Sequence, residues 1–257
     1  MLRRFARGEL PAWPLLVGAL VLAMTTIGLA RQAATPTAKD VIARHVAAIG
    51  GEKAYKALNS IRARGTFSMV AQGVSGEFEM AAARPDKMVI KVIVPGLGTV
   101  ESGYDGKVGW TMDPVTGPAV LKGRQLTETA DDAHFDATLH GPDHVKEATV
   151  VGTETFDGRK TTKLKIVTLS GIEQMEYFDV ETGLQIGSEA SRETPMGIAP
   201  STSVLRDYRK VQGFMVPHVM LQRTMGIEQT LTITGYEFDI VPPTAFDLPV
   251  QIKALIK

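Results

Sequence analysis

From Ile61 onward the apolar residues of this chain recur at every second position, and that period constrains the fold more than any motif does. Ile61, Ala63, Phe67 and Met69 alternate with Arg62, Arg64, Thr66 and Ser68, the pattern of a strand with one dry face and one wet face. Comparable runs follow at Glu77–Ala83, Met88–Val94, Thr99–Tyr104, Val108–Met112, Thr161–Thr168, Glu173–Asp179, Leu184–Ala190, Ser203–Arg209, Met215–Arg223 and Gln229–Phe238. Arg84-Pro85-Asp86, Asp105-Gly106, Asp157-Gly158, Thr182-Gly183 and Gln212-Gly213 stand between neighbouring runs. This is turn chemistry that joins strands as hairpins without crossover helices. The pattern predicts a mainly β, α+β domain of about eleven strands in an antiparallel meander. It disfavours a doubly wound nucleotide-binding fold, which needs helices between its strands.

Helical period precedes the strands. Thr37 and Asp40 resemble a capping box, and Val41, Ile42, His45, Val46 and Ile49 recur at helical spacing before Gly50-Gly51. That is an amphipathic helix closed by a glycine cap, with His45 read as a boundary residue. Glu52 to Leu58 reads as a further short turn of helix. Between the two groups of strands, Leu126 to Leu139 is acidic and free of glycine and proline. It predicts a short helix near an edge or mouth of the sheet.

The first thirty residues stand apart. Arg3, Arg4 and Arg7 precede the uncharged run Leu15 to Ala30, the layout of an export signal. At 16 residues the run falls short of the ~20 that comfortably span a bilayer, which favours removal over retention as an inner-membrane anchor. The expectation is an exported, periplasmic product comprising residues 31–257, read as one domain with no internal linker after Pro36. Over the whole chain, 28 basic side chains balance 28 acidic ones, so no cationic surface for nucleic acid is expected. The chain has no cysteine, which excludes disulfides, thiolate metal sites, a cysteine nucleophile and lipidation at a cysteine.

Chemical motifs are sparse. There is no GxSxG elbow, HExxH pair, phosphate-cradling GxxxxGK or EF-hand loop. Gly96-Leu97-Gly98 follows Pro95 and precedes a strand pattern rather than a helix, so it reads as a turn. Asp131, Asp132, His134, Asp136, His140, Asp143 and His144 form the densest set of possible ligands, and a zinc-assisted hydrolase built on them is the lesser alternative. Gly141-Pro142 interrupts any helix between His140 and His144, so a polar loop and solvated helix face is the preferred reading. No cofactor is called for. The chain has eleven methionines, nine of them after residue 30. Several sit two positions from an aromatic residue: Phe67 with Met69, Phe78 with Met80, Trp110 with Met112, and Met175 with Tyr177. Residues two apart in a strand share a face, and flexible thioethers suit an irregular apolar ligand, although a methionine-rich core would look the same.

Five stretches, ARHVAAIGGEKAYKALNSIRARGTF (Ala43–Phe67), RPDK (Arg84–Lys87), YDGKVGWTMDP (Tyr104–Pro114), Val150–Leu184 and DYRKVQGFMVPHVM (Asp207–Met220), in this order and spacing resemble the LolA-like superfamily of outer-membrane lipoprotein-sorting proteins. The resemblance implies an open antiparallel half-barrel wrapped around an N-terminal helix and short plug helices, with an apolar cavity between sheet and helices. It implies binding without bond chemistry: a carrier or receptor for acyl chains of lipoproteins or other lipids, with transient membrane contact. The alternative is an envelope-stress sensor or interaction domain of the same fold, with an envelope protein as partner. On this reading Phe67, Met69, Phe78, Met80, Met88, Trp110, Met112, Met175 and Tyr177 are the candidate cavity residues. Leu126–Leu139 or the loop Glu193–Pro200 would be a movable cover. No gating residue is carried over from the family.

Overall fold

A computed structural model describes residues 36–194 and 196–256, and Pro36–Lys257 form one compact unit. The segment read as an export signal, 1–30, lies outside the described residues. The strands are β1 Ser60–Met69, β2 Val74–Ala83, β3 Lys87–Val94, β4 Gly98–Tyr104, β5 Gly109–Asp113, β6 Gly117–Val120, β7 Val145–Phe156, β8 Arg159–Thr168, β9 Glu173–Asp179, β10 Gln185–Thr194, β11 Gly197–Val211, β12 Phe214–Thr224 and β13 Ile227–Phe238. They form a single sheet in the order β6-β5-β4-β3-β2-β1-β13-β12-β11-β10-β9-β8-β7, and every pairing in it is antiparallel. The chain lays down one meander outward from β1, crosses over, and lays down a second that returns to pair β13 with β1. The sheet does not close, because β6 and β7 remain edges. The expected open half-barrel is what forms.

Two strands escaped the periodicity. β6 is short, carries Pro118 and lies at an edge, where a missing donor is tolerated. β7 shifts register between Val145 and Glu147 and again between Val150 and Gly152, so its side chains lose strict alternation. Glu193–Pro200, expected to be a loop, is instead the paired end of the β10–β11 hairpin, with Glu193 opposite Ile198 and Thr194 opposite Gly197. The ladder takes in residues that looked like a loop because of Pro200, which pairs opposite Ser191 within β11.

The helices are α1 Ala38–Ile49, α2 Glu52–Ala57, α3 Gly123–Asp132 and α4 Val250–Leu255. The capping box is present: Asp40 N donates to Thr37 Oγ1 at 3.2 Å and Thr37 N donates to Asp40 Oδ2 at 3.0 Å. α1 buries Val41 against Leu164, Ile166 and Phe178 of the second meander. α2 and the turn Ala137–Leu139 fill one end of the concavity, where Leu58, Phe135, Phe214 and Phe238 form one cluster and Ile49, Leu139 and Leu184 another. Arg84, in the β2–β3 turn, fastens this plug. Its guanidinium donates to Asp136 Oδ1 at 2.7 Å and to the Tyr55 carbonyl at 3.1 Å, and lies 4.8 Å from the Phe135 ring centre.

The opposite, outer face of the first meander is covered by the C-terminal segment. Trp110, fully buried, packs with Ala81, Val89, Phe246 and Ile252, and Met112 adjoins the same cluster. The indole lies over Gly103, where an added Cβ would sit 2.4 Å from Trp110 Cζ2. Replacing Trp110 with Ala is expected to cost about 3–5 kcal/mol, read as a lower denaturant midpoint with an unchanged slope.

Candidate functional site

The antiparallel order puts the β1–β2, β3–β4, β5–β6, β8–β9, β10–β11 and β12–β13 turns on one rim, here the upper, and the other five hairpin turns on the lower. Helical plugging is confined to the lower end. Above it a cavity of about 870 Å³ remains between the inner face of the sheet and α3. Its two walls differ. One is apolar, built from Phe67 of β1, Phe78 and Met80 of β2, Met88 and Ile90 of β3 and Ile233 of β13. The other is polar: Glu128, Thr129 and Asp132 on α3, Ser188 and Arg192 on β10, and Ser201 and Ser203 on β11.

Helix α3 touches β4, β5 and β10, and so straps one meander to the other. Its polar face holds it to β10. Arg192 donates to both oxygens of Asp132 at 3.0 and 2.9 Å, the Glu193 amide donates to Glu128 Oε2 at 3.0 Å, and Arg124 Nη2 donates to the Ser191 carbonyl at 2.7 Å. Asp132 is half-exposed at the edge of the cavity; partial desolvation between α3 and β10 moves its carboxyl upward from its ordinary value, while the Arg192 charge pulls it the other way. Glu193 Oε2 is buried with no partner among the described residues, so the polar wall keeps a free acceptor.

Four of the nine sequence candidates, Phe67, Phe78, Met80 and Met88, line the cavity. Met69 shares their face and packs on the Phe67–Phe78 cluster without reaching the cavity. The other four point outward. Trp110 and Met112 belong to the outer-face core already described. Met175 pairs opposite Glu189, and Tyr177 stacks on Phe156 at 3.9 Å and donates to Glu189 Oε2 at 2.7 Å, again on the outer face. Each two-residue pair does share a face. Which face it shares depends on pairing register, which a strand's own alternation does not carry. The polar wall was not foreseen. The spacing of Gln125, Glu128, Thr129 and Asp132 on one side of a helix was its one local trace.

The His and Asp set from 131 to 144 is divided among separate partners. Asp131 accepts from Ser170 Oγ at 2.7 Å, Asp136 binds Arg84, His134 stacks on His144 at 4.8 Å, and His140 Nε2 meets Glu176 Oε2 at 2.6 Å. Among the described residues no group of three or more such side chains is arranged to hold a metal ion.

Beside the cavity lies a buried polar cluster that does not follow from helical spacing. His45 is not at a boundary. It is 1% exposed, its Nδ1 accepts from the Gln185 amide at 3.2 Å, and its ring lies 5.7 Å from that of His140. Burial opposes charge on His140, but the Glu176 carboxylate outweighs it and holds the imidazole above its ordinary value. Burial likewise opposes charge on Glu176, and His140 holds that carboxyl below the usual range. His45 has no carboxylate in contact. Burial and the neighbouring His140 push it down from 6.5 to about 4.

No family model matches the sequence, and no curated protein matches it. Solved structures do. A DUF1329 family protein from Desulfovibrio piger superimposes with a TM-score of 0.58 at 11% identity, covering 83% of this chain and 98% of that one. A LolA superfamily protein from Nitrosomonas europaea gives 0.55 at 11% identity over 83% and 99%. An outer membrane lipoprotein-sorting protein domain from Vibrio parahaemolyticus gives 0.50 at 12% over 76% and 94%. The class defined by the open sheet and its plug helices is thus an unclosed antiparallel half-barrel. More particularly, it is the LolA-like fold.

His45 sets a pH dependence. Between 6.5 and about 4 the unfolded chain takes up a proton that the folded chain refuses. Stability is therefore present above 6.5 and lost as pH falls to about 4, by roughly 3 kcal/mol. His140 works in the opposite sense, contributing stability below 6.5 that fades as pH rises through its raised value. In His45→Gln, thermal midpoints measured from pH 7 to pH 4 should fall less steeply than in the unsubstituted chain.

Proposed function

We propose that this chain is a non-catalytic carrier or receptor, which holds an acyl chain of a lipoprotein or other lipid in the inner-face cavity for handover within the cell envelope. The observation that carries this reading is the cavity with two unlike walls. Its volume of about 870 Å³ falls within the roughly 300–1,000 Å³ of small-molecule sites. An acyl tail against Phe67, Phe78, Met80 and Met88 gains ~0.8 kcal/mol per buried methylene, or roughly 10 kcal/mol gross for a long chain before ordering and association costs. The polar wall suits the other end of such a molecule. Glu193 Oε2 offers an acceptor to a head group bearing N–H or O–H donors. An empty space lined only by hydrocarbon would demand no such orientation.

The fold shared with a lipoprotein-sorting domain supports lipid as the cargo. The basic start and apolar run of residues 1–30 support export to the periplasm. The strap α3 is the element placed to regulate entry, since it spans the two meanders and is fixed to β10 by polar contacts that a head group can replace.

Delipidated protein should bind a fluorescent long-chain fatty acid, and native mass spectrometry after gentle purification should show a lipid adduct. Ile90→Glu places a charge in the apolar wall and should weaken fatty-acid binding by about tenfold or more, whereas Met112→Ala on the outer face should leave it unchanged. A folded protein with no adduct and no fatty-acid binding would end the carrier reading.

A further inference from the structure

The hairpin turns of the two rims differ in chemistry. On the upper rim, Val70–Gly73, Pro95–Gly98, Pro114–Gly117, Leu169–Ile172, Thr194–Gly197 and Thr224–Ile227 contain no Asp, Glu, Lys or Arg. Each carries a large apolar side chain that is exposed: Val70, Leu97, Val115, Leu169, Met196 and Met225, from 44% at Met225 to 85% at Val70. On the lower rim four of the five turns carry charge, at Arg84 and Asp86, Asp105 and Lys107, Asp157, and Glu181. Those five turns contribute one exposed large apolar side chain, Val180. Single exposed apolar residues are ordinary on a protein surface, and turns favour polar ones. Charge approaches the upper tips only at their bases, where Asp113 accepts from the Val115 and Thr116 amides and Arg223 pairs with Glu228, so the six outermost side chains are apolar.

We propose that the upper rim is a membrane-docking edge, its six apolar tips entering the headgroup and acyl boundary of a lipid bilayer. Three features favour a bilayer over a protein partner. The apolar side chains are separate points strung along a curved rim rather than one contiguous patch, and a deformable phase accepts each at its own depth. The turns hold no cation and the flanking Arg223 is neutralised by Glu228 at 2.7 Å, so binding is driven by apolar burial rather than by anionic headgroups. The cavity reaches the same rim: its lining residues Phe67, Val92, Arg192 and Gln229 each lie within three residues of an upper turn, while the lower end is filled by the α1 and α2 clusters. On the carrier reading, a tail could pass between bilayer and cavity without crossing water. The docking surface itself does not require that reading.

The test uses the compact unit Pro36–Lys257, which contains every core cluster described above and has Trp110, fully buried, as its sole tryptophan. Leu97→Trp and Met196→Trp report on the upper rim and Val180→Trp on the lower. With phosphatidylcholine vesicles, emission of the first two should shift to the blue and that of the third should not, and raising the salt should leave binding unchanged. The double variant Leu97→Ser, Met196→Ser should keep its thermal midpoint and lose about tenfold or more in vesicle affinity by flotation. Ile90→Glu should float as the unsubstituted protein does, so membrane docking and cavity filling are read separately. Absence of flotation, equal emission from both rims, or undiminished binding by the double serine variant overturns the proposal. So does a serine effect confined to self-association in analytical ultracentrifugation, which would make this rim a contact between copies of the chain.

Discussion

Everything in this molecule depends on the ladder between β1 and β13. These are the first and last strands of the sheet in sequence, and their pairing is the one strand ladder that joins the two meanders. The seam tolerates no side chain at Gly65, where a Cβ would sit 1.9 Å from the Thr232 carbonyl oxygen, and register shifts between Arg64 and Gly65 to accommodate the approach. A one-residue slip along it would invert the faces of one meander against the other, turning Phe67 and Phe78 away from the cavity. Because the contact spans most of the chain, it forms late in any ordering by sequence separation.

The cavity exists because the two ends of the sheet's concavity are filled differently. Below, Ile49 of α1, Leu58 just after α2, Phe135 and Leu139 pack with Leu184, Phe214 and Phe238 of the sheet and its turns. Above, the side chains facing Phe67 and Met80 across the gap are Ser188, Ala190, Ser201 and Ser203, which are too short to reach the opposite wall. Serine side chains would leave buried polar groups in a collapsed core, so this wall opposes collapse energetically as well as sterically. The strap α3 keeps the gap open by holding the two meanders at a fixed separation. Its anchoring charges, Asp132 with Arg192 and Glu128 with the Glu193 amide, satisfy one another at the edge of the cavity.

Period-two alternation and turn chemistry made eleven of the strands and their antiparallel order legible before any coordinates, and the resemblance to the LolA-like superfamily supplied the half-barrel class. β6 and β7 were not, because Pro118 and two bulges erase alternation locally. The site was legible in part. The apolar wall of β1, β2 and β3 could be picked out from Phe67, Phe78, Met80 and Met88, whereas the equally apolar Trp110, Met112, Met175 and Tyr177 belong to the other face. Nothing in their own strands distinguishes the two sets. His45 shows the same limit in the helix, where its spacing matches a helix flank and its partners, the Gln185 amide and the His140 ring, lie more than ninety residues away.

What the amino-acid order determined by itself is local: which segments extend, where they turn, which residues share a face, and the capped helix at Thr37. Backbone sterics and the alternation of Cβ atoms act over a few residues, and their signal is written there. What only the tertiary structure decided is which shared face is inward, where the polar wall of α3 and β10 meets the apolar wall of β1 to β3, and that six separate hairpin tips stand on one rim. Those outcomes depend on long-range pairing register and on the helices competing to fill the concavity, and no residue encodes either one alone.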